Sequence, residues 1–130
     1  MPNNGKPIGI GVDLVTISEI ERLDQEAPAF TQRTYTEHEI AEAASRGKSR
    51  ASYLAGRFAA KEAVFKAIAH LSPGHTFDLR IVETPAADDG APQINMTPAF
   101  SQICERAGVE SVHVSISNEG DFAIAFAVAV

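Results

Sequence analysis

The sequence SRASYLAGRFAAKEAVFKAIAHL, residues Ser49–Leu71, decides the fold because it predicts the longest helix of the chain. It contains no proline and is rich in Ala, Leu, Arg, Lys and Glu, which are good helix formers. The Ser72-Pro73-Gly74 sequence directly after it predicts the end of the helix. The segment is therefore the most clearly helical part of the sequence.

The elements on either side of this helix indicate an α+β domain with mostly antiparallel strands. Alternating apolar residues between Ile8 and Val15 predict a strand whose other face carries two glycines and Asp13. The further predicted elements are a helix from Thr16 that ends before Pro28, a helix at Thr36–Ala44, strand-like runs at Leu79–Thr84 and Gln93–Met96, a helix at Pro98–Ala107, and strands at Ser111–Ser117 and Phe122–Val130. The last two strands flank a short turn at Asn118–Asp121 and predict a hairpin. This order of elements is typical of the α+β class.

Length and composition favour one folded domain at residues 1–130. The chain has 130 residues, of which 45% are hydrophobic, and this is enough for a sizeable core. Its single cysteine, Cys104, excludes an internal disulfide and a multi-cysteine metal site. The longest apolar runs, such as Phe122–Val130, fall far short of the roughly 20 residues that a membrane-spanning helix needs, and the polar start has no signal-peptide core. We therefore expect no membrane association and a cytoplasmic location.

The charge of the chain is unevenly distributed. Its formal net charge of −6 makes it a poor general nucleic-acid binder. The segment between Arg46 and Lys66 nevertheless carries +5, with Glu62 as its single acid, so the remainder carries −11. The basic residues of this segment are Arg46, Lys48, Arg50, Arg57, Lys61 and Lys66. Such a segment could bind phosphates or an acidic protein, and it could also be only the solvated face of a helix.

Glu62 is a candidate site residue because of its position on the long helix. At about 100° per residue it projects on the same side as Leu54, Phe58 and Phe65. An unpaired charge there would be costly or would be neutralised by protonation. Lys66, one turn later, could neutralise it in an i, i+4 ion pair. A metal ion shared with a second carboxylate is the alternative.

Asp13 is the natural second carboxylate. It lies on the glycine face of the first strand, where that strand runs into a helix, so a ligand could approach it. An aspartate in this place could equally be a turn or capping residue. Mg²⁺ is typically held by one or two protein carboxylates, with water and phosphate oxygens in the remaining positions. Asp13 and Glu62 match that pattern, and Lys61, Lys66 and Arg57 would supply positive charge for a diphosphate.

Three segments together resemble one enzyme family. They are GIGVDLV at Gly9–Val15, RFAAKEAVFK at Arg57–Lys66 and HVSIS at His113–Ser117. In order and spacing they are similar to the holo-acyl-carrier-protein synthases, the small class of the 4′-phosphopantetheinyl transferases. The aromatic-x-x-Lys-Glu-Ala-x-x-Lys pattern of the second segment is the most specific, and the resemblance spans nearly the whole chain. It implies a mostly antiparallel sheet wrapped around one long helix.

The resemblance also implies a Mg²⁺-dependent enzyme of fatty acid biosynthesis. Such an enzyme transfers the phosphopantetheine arm of coenzyme A to a serine of an apo-acyl carrier protein and releases adenosine 3′,5′-bisphosphate. By motif position, the implied metal ligands are Asp13 and Glu62, the implied catalytic residues are Asp13, Glu62 and Lys66, and the implied contacts to coenzyme A are Arg57, Lys61, Lys66 and Ser117. The serine proton would go to Glu62 or to a water molecule, and the motifs leave both open.

Small members of this family assemble as trimers with each site between two subunits, so the resemblance implies a homotrimer. The run Phe122–Val130 alternates bulky side chains with alanines, which suits burial on both faces. Such burial fits an oligomer core and also the central strand of a monomer. The alternative to an active transferase is a catalytically silent relative that binds coenzyme A or the carrier protein.

Three positions depart from the pattern of the family. A glycine-rich loop commonly follows the Lys-Glu helix, whereas this chain has Ala69–His75, where His75 could contact a ligand. Asn118 stands where many members have a histidine. Glu19 stands where relatives often present an arginine to the carrier. Docking would then rely on Arg22, or on Arg46, Lys48 and Arg50.

Overall fold

The computed structural model describes residues 4–72 and 78–130. The helices and strands in these ranges are β1 (Gly9–Thr16), α1 (Ile17–Glu26), α2 (Pro28–Thr34), α3 (Glu37–Ala44), α4 (Arg50–Ile68), α5 (Pro98–Ala107), β2 (Val112–Glu119) and β3 (Phe122–Ala129). The predicted helix end at Pro73 and Gly74 and the predicted ligand contact of His75 lie outside the described residues. The predicted α+β class is confirmed.

Helix α4 is the centre of the fold. Its predicted range, Ser49–Leu71, is confirmed for Arg50–Ile68, and a 3₁₀ turn at Ala69–Leu71 continues it. All three strands and α1 pack against α4. Most of its side chains are consequently buried. Glu62 is half-buried and Lys66 is exposed, so the site predicted from the sequence lies where α4 reaches the surface.

The three strands form one antiparallel sheet in the order β1-β3-β2. The predicted hairpin of the last two strands is confirmed, and β3 is the central strand. One face of β3 consists of the alanines at 123, 125, 127 and 129, which are buried and belong to the faces that pack on α4. Because these side chains are small, the sheet and the helix approach each other closely.

Two glycines of β1 allow the closest approach between strand and helix. A Cβ built at Gly11 would lie 1.9 Å from the carbonyl oxygen of Ala63, and a Cβ at Gly9 would lie equally close to that of Ala67. Any side chain at these positions would push β1 away from α4. The helix therefore covers the glycine face of β1 at Gly9 and Gly11. Asp13, the residue that we expected a ligand to approach, lies beyond them on the same face and is half-buried.

The bulky apolar side chains of the sheet lie on its other face, which we call the apolar sheet face. Six of them are between 42% and 60% exposed in the isolated chain: Ile10, Val12, Leu14, Phe122, Ile124 and Phe126. The strand register places Val12 beside Phe126 and Leu14 beside Ile124, so the exposed side chains are contiguous. Contiguous exposed apolar surface of this kind marks an interaction site. The single chain thus buries only one face of β3.

The two strands predicted between α4 and α5 are not formed. Leu79–Ile81 is a 3₁₀ turn, and the second run pairs with the first only through an isolated bridge between Glu83 and Asn95. The ammonium of Lys61 donates hydrogen bonds to the carbonyl oxygens of Leu79 at 3.0 Å and Val82 at 2.6 Å. These carbonyls therefore face a buried side chain instead of a neighbouring strand.

The remaining helix boundaries follow local sequence signals. Helix α3 begins with the predicted capping box, in which Thr36 and Glu39 satisfy each other's backbone N–H groups. Helix α5 ends at Gly108, whose φ of 74° is readily accessible to glycine. Helix α2 was not predicted, although Pro28 at its first turn is a usual start signal.

Within the described residues, no helix has the length and apolar character needed to cross a membrane.

Candidate active site

The packing of β1 on α4 brings the three predicted catalytic residues together. Gly11 lies against the carbonyl of Ala63, and Asp13 follows two residues later on the same face of the strand. Ala63 is the sequence neighbour of Glu62, and Lys66 lies one turn beyond Glu62 on the helix. The backbone contact between strand and helix therefore sets the separation of the Asp13 side chain from Glu62 and Lys66.

Lys66 joins the strand to the helix. Its ammonium lies 2.9 Å from Asp13 Oδ1 and donates a further hydrogen bond of 3.1 Å to the carbonyl oxygen of Val12. The sequence left two possibilities for the charge of Glu62, an i, i+4 ion pair with Lys66 or a shared metal ion. Among the described residues, this ion pair is not observed. The Lys66 side chain remains 53% exposed, so its charge is available to a ligand as well as to Asp13.

Two carboxylates of the site interact, and one of them is incompletely satisfied. Burial raises the pKa of Glu62, and the nearby Asp13 carboxylate raises it further, while Lys66 opposes the shift. Asp13 Oδ2 is buried and has no hydrogen-bond partner. A buried carboxylate oxygen without a donor is costly, and a cation would satisfy it. No group of three or more Asp, Glu, His or Cys side chains within the described residues could hold a metal, so any ion here would have only these two carboxylates. This donor set fits Mg²⁺, which commonly keeps positions for water and phosphate oxygens.

Lys61 does not join this cluster, and its expected contact to the phosphates is corrected by the structure. Its side chain is fully buried, and its ammonium lies 2.7 Å from Glu39 Oε1 in addition to the Leu79 and Val82 carbonyls. Burial lowers the pKa of Lys61, and Glu39 counteracts that effect. Adjacent residues of a helix point about 100° apart, so Lys61 faces the core although its neighbour Glu62 reaches the surface.

A second basic site lies around Tyr53. The guanidinium carbons of Arg46 and Arg57 are each 4.8 Å from the centroid of the Tyr53 ring. The three side chains line two adjoining cavities of about 270 and 160 Å³, which we call together the arginine pocket. The first is completed by Asn118 and the second by residues of α3 and the 85–86 segment. Arg57 Nε is buried and has no hydrogen-bond partner. The positive charges of Arg46 and Arg57 beside these cavities could attract an anion.

The arginine pocket and the carboxylate cluster lie on different sides of α4. Arg57 precedes Glu62 by five residues, which places the two side chains about 140° apart around the helix axis. The body of the helix therefore stands between them. One chain brings together Asp13, Glu62 and Lys66, but it does not bring Arg57 to them.

Ser117 is also separated from the cluster. In the sheet, Asp13 pairs with Ala125, which pairs with Ile116, so these three residues share the face that packs on α4. Ser117 is the next residue along β2 and points to the apolar sheet face, where it is exposed. The hydroxyl of Ser117 therefore cannot contact the same ligand atoms as Asp13 within one chain.

Most of the basic residues considered for docking are engaged in ion pairs. The pairs are Arg22 with Glu19 and Glu26, Arg46 with Glu42, and Arg50 with Asp24. Arg50 makes two hydrogen bonds to Asp24, of 2.7 and 3.0 Å. Lys48, by contrast, is exposed and makes no ion pair within residues 4–72 and 78–130.

Sequence reasoning missed two residues of these sites. Glu39 was recognised only through its capping-box spacing, which carries no signal for its contact with Lys61. Tyr53 was not singled out at all, because an aromatic residue inside a helix is ordinarily read as part of the core. Its contact with Arg57 is an i, i+4 contact on α4, which the sequence pattern could have indicated. Its contact with Arg46 depends on the loop before α4, for which the sequence has no local signal.

Comparison with known proteins identifies the family of this chain. Residues 9–127 match the model of the 4′-phosphopantetheinyl transferase superfamily. The holo-[acyl-carrier-protein] synthase of Clostridium beijerinckii is 39% identical over 93% of this chain and 95% of its own length. That of Pseudoalteromonas atlantica is 36% identical over 91% of this chain and 92% of its own.

Solved structures agree with the sequence comparison. The holo-[acyl-carrier-protein] synthase of Neisseria meningitidis aligns with a TM-score of 0.84 and 35% identity, covering 96% of this chain and 99% of that one. The Helicobacter pylori synthase in complex with coenzyme A aligns with a TM-score of 0.76 and 28% identity, covering 93% and 99%.

The fold and the matched motifs therefore define a transferase, and the chain belongs to the 4′-phosphopantetheinyl transferase superfamily. Its relatives of similar length are holo-[acyl-carrier-protein] synthases, which confirms the resemblance drawn from the three sequence segments.

Proposed function

We propose that this protein transfers 4′-phosphopantetheine from coenzyme A to a serine of an acyl carrier protein, with Mg²⁺ bound by Asp13 and Glu62. The observation that carries the proposal is the cluster of Asp13, Glu62 and Lys66, with its unpartnered carboxylate oxygen. Relatives named holo-[acyl-carrier-protein] synthase, one of them solved with coenzyme A, support the choice of donor and acceptor. A carrier of fatty acid biosynthesis and a cytoplasmic location belong to the same proposal.

The chemistry suits the residues of the cluster. The carrier serine attacks the phosphorus that bears the pantetheine arm, the bond to the other phosphate of the diphosphate breaks, and adenosine 3′,5′-bisphosphate leaves. Phosphoryl transfer requires mainly positioning and charge stabilisation from the protein. When bound, Mg²⁺ would neutralise charge on the diphosphate. Lys66 adds a positive charge beside it, and Asp13 orients the Lys66 ammonium through their 2.9 Å contact.

The serine proton has two acceptors in this proposal, the Glu62 carboxylate and a water molecule. The raised pKa of Glu62 favours proton uptake by that group. Binding of a cation would reduce this effect, because a positive charge stabilises the ionised carboxylate.

We infer further that the complete site forms between subunits of a homotrimer. Arg57 supports this inference because it lies about 140° around α4 from Glu62, so its pocket would serve the cluster of a neighbouring chain. The apolar sheet face supports it as well, since exposed side chains such as Val12, Leu14 and Phe126 call for a partner surface. Ser117 lies on that face and would reach coenzyme A only from a neighbour.

The test is the mass of a carrier protein. Apo-carrier, coenzyme A and Mg²⁺ are incubated with the protein, and the carrier is weighed by mass spectrometry. The expected result is a gain of one phosphopantetheine group with wild type and no gain with Glu62→Gln. Glu21→Gln, an exposed acid on α1, is the matched control and should transfer normally.

A lack of mass gain in fatty-acid and polyketide carriers would refute the transferase proposal. Binding of coenzyme A without transfer would then identify a catalytically silent relative. Full activity of Glu62→Gln would refute only the assignment of the metal site.

A further inference from the structure

Lys61 carries a buried charge that the proposed reaction does not use. Its side chain has no exposed surface, and its ammonium is shared by Glu39 Oε1 at 2.7 Å, the Val82 carbonyl at 2.6 Å and the Leu79 carbonyl at 3.0 Å. An ammonium has three N–H donors, and three acceptors surround this one. Lys61 therefore has neither the access nor the free donor that contact with a substrate phosphate requires.

The three acceptors belong to two segments that are far apart in the sequence. Glu39 lies in the first turn of α3, and the two carbonyls lie in the 79–82 segment. A further bond closes the arrangement, because Thr36 Oγ1 donates a 2.5 Å hydrogen bond to Glu83 Oε2. Lys61 on α4 thus ties α3 and the 79–83 segment to the central helix at one point.

Helices α3 and α4 line the smaller cavity of the arginine pocket, together with residues that follow the 79–83 segment. His38 and Glu42 of α3 lie on either side of Glu39 in sequence and line the smaller cavity. Pro85 and Ala86, which follow Glu83 in sequence, line the same cavity. On α4, Arg57 precedes Lys61 by four residues, so the two side chains share one helix face, with Lys61 one turn below the pocket.

We propose that Lys61 is a positioning residue that, through Glu39 and the Leu79 and Val82 carbonyls, holds the walls of the smaller cavity of the arginine pocket around the phosphate-bearing end of coenzyme A. The proposal rests on the proposed function, since it takes coenzyme A as the ligand of the pocket. Lys61 acts on binding without touching the ligand, in contrast to Arg57, whose guanidinium lines the cavity. Glu39 has an equal part in this role although its side chain is buried.

The experiment measures adenosine 3′,5′-bisphosphate binding to the full chain by calorimetry at several salt concentrations. The variants are Lys61→Met, Glu39→Gln, the double variant and Arg57→Gln. Ile103→Val, a conservative change in α5 within the core, controls for a general loss of stability. Melting curves identify the folded variants. Lys61→Met leaves Glu39 buried without its partner and could fail to fold for that reason. In that case Glu39→Gln and the uncharged double variant are used for the test.

Lys61→Met and Glu39→Gln are each expected to weaken binding about tenfold, and the double variant should be no more than about threefold weaker than either, because both changes break one link. The salt dependence of binding should stay as in wild type in these variants and should decrease in Arg57→Gln, which loses a direct charge contact. In the transfer assay, KM for coenzyme A should rise with kcat kept within about twofold.

Several results would overturn the role of Lys61 while leaving the proposed function intact. They are unchanged binding in Glu39→Gln, a reduced salt dependence in Lys61→Met, an equal loss in Ile103→Val, or failure of all three Lys61 and Glu39 variants to fold, which would limit the pair to stability. If wild type itself does not bind the bisphosphate, the proposed function fails, and the role of Lys61 fails with it.

Discussion

Replacing Gly11 by alanine is expected to displace β1 from α4 and to disable the carboxylate cluster. The new Cβ would lie 1.9 Å from the carbonyl oxygen of Ala63, whereas ordinary van der Waals contact begins at 3.4 Å, so strand or helix must move by about 1.5 Å. The obstacle is backbone and cannot rotate away. Overpacking of this kind costs about 1–3 kcal/mol of unfolding free energy. Because a misplacement of about 1 Å can slow a reaction about 100-fold, transfer should fall by at least that factor.

Urea unfolding measures the loss of stability, and the rate of mass gain by the carrier measures transfer. Gly56→Ala is the matched control for stability, since its Cβ would meet only a methyl group of the Ile116 side chain, at 3.0 Å. Alanine is also the better helix former, so this control should unfold at nearly the wild-type urea concentration. Wild-type stability and rate in Gly11→Ala would refute the view that this backbone contact sets the position of Asp13.

Three further predictions concern the charge of the site, the apolar sheet face and the basic segment. Because burial and a neighbouring carboxylate raise the pKa of Glu62, the folded chain binds this proton more tightly than the unfolded chain, and stability falls as pH rises through the raised pKa. Glu62→Gln should abolish this fall in urea unfolding as the pH rises above the ordinary pKa of a glutamate, and an unchanged pH profile would contradict the shift. In the proposed homotrimer, Phe126→Glu should shift the chain from trimer to monomer in light scattering and abolish transfer, whereas a trimer that persists would exclude the apolar sheet face from the interface. Lys48→Glu should slow association with the carrier and weaken the salt dependence of that association, with little change in stability. Arg50→Glu, by contrast, should lose about 1–3 kcal/mol of unfolding free energy because it breaks a partly buried pair. An unaltered salt dependence in Lys48→Glu would exclude this segment from docking.

Elements with strong local signals were predictable from the sequence. The capping box of α3, the length of α4, the glycine end of α5 and the final hairpin all depend on contacts within a few residues. The strand predicted at Leu79–Thr84 was not, because its backbone is held by Lys61, 18 or more residues earlier in the chain. A buried charge that needs carbonyl partners overrides β propensity there.

The sequence by itself determined the family, the α+β class and the proximity of Asp13 to Glu62 and Lys66. It contains the motif residues of the family and the small residues that allow strand and helix to come into contact. Only the tertiary structure decided where the neighbouring charges go. Lys61 turns into the core, Arg57 lies on the far side of α4, and Ser117 points to the apolar sheet face. The physical reason is that side chains one residue apart diverge by about 100° on a helix and by half a turn on a strand. Packing against distant segments then decides which of those directions is core and which is surface.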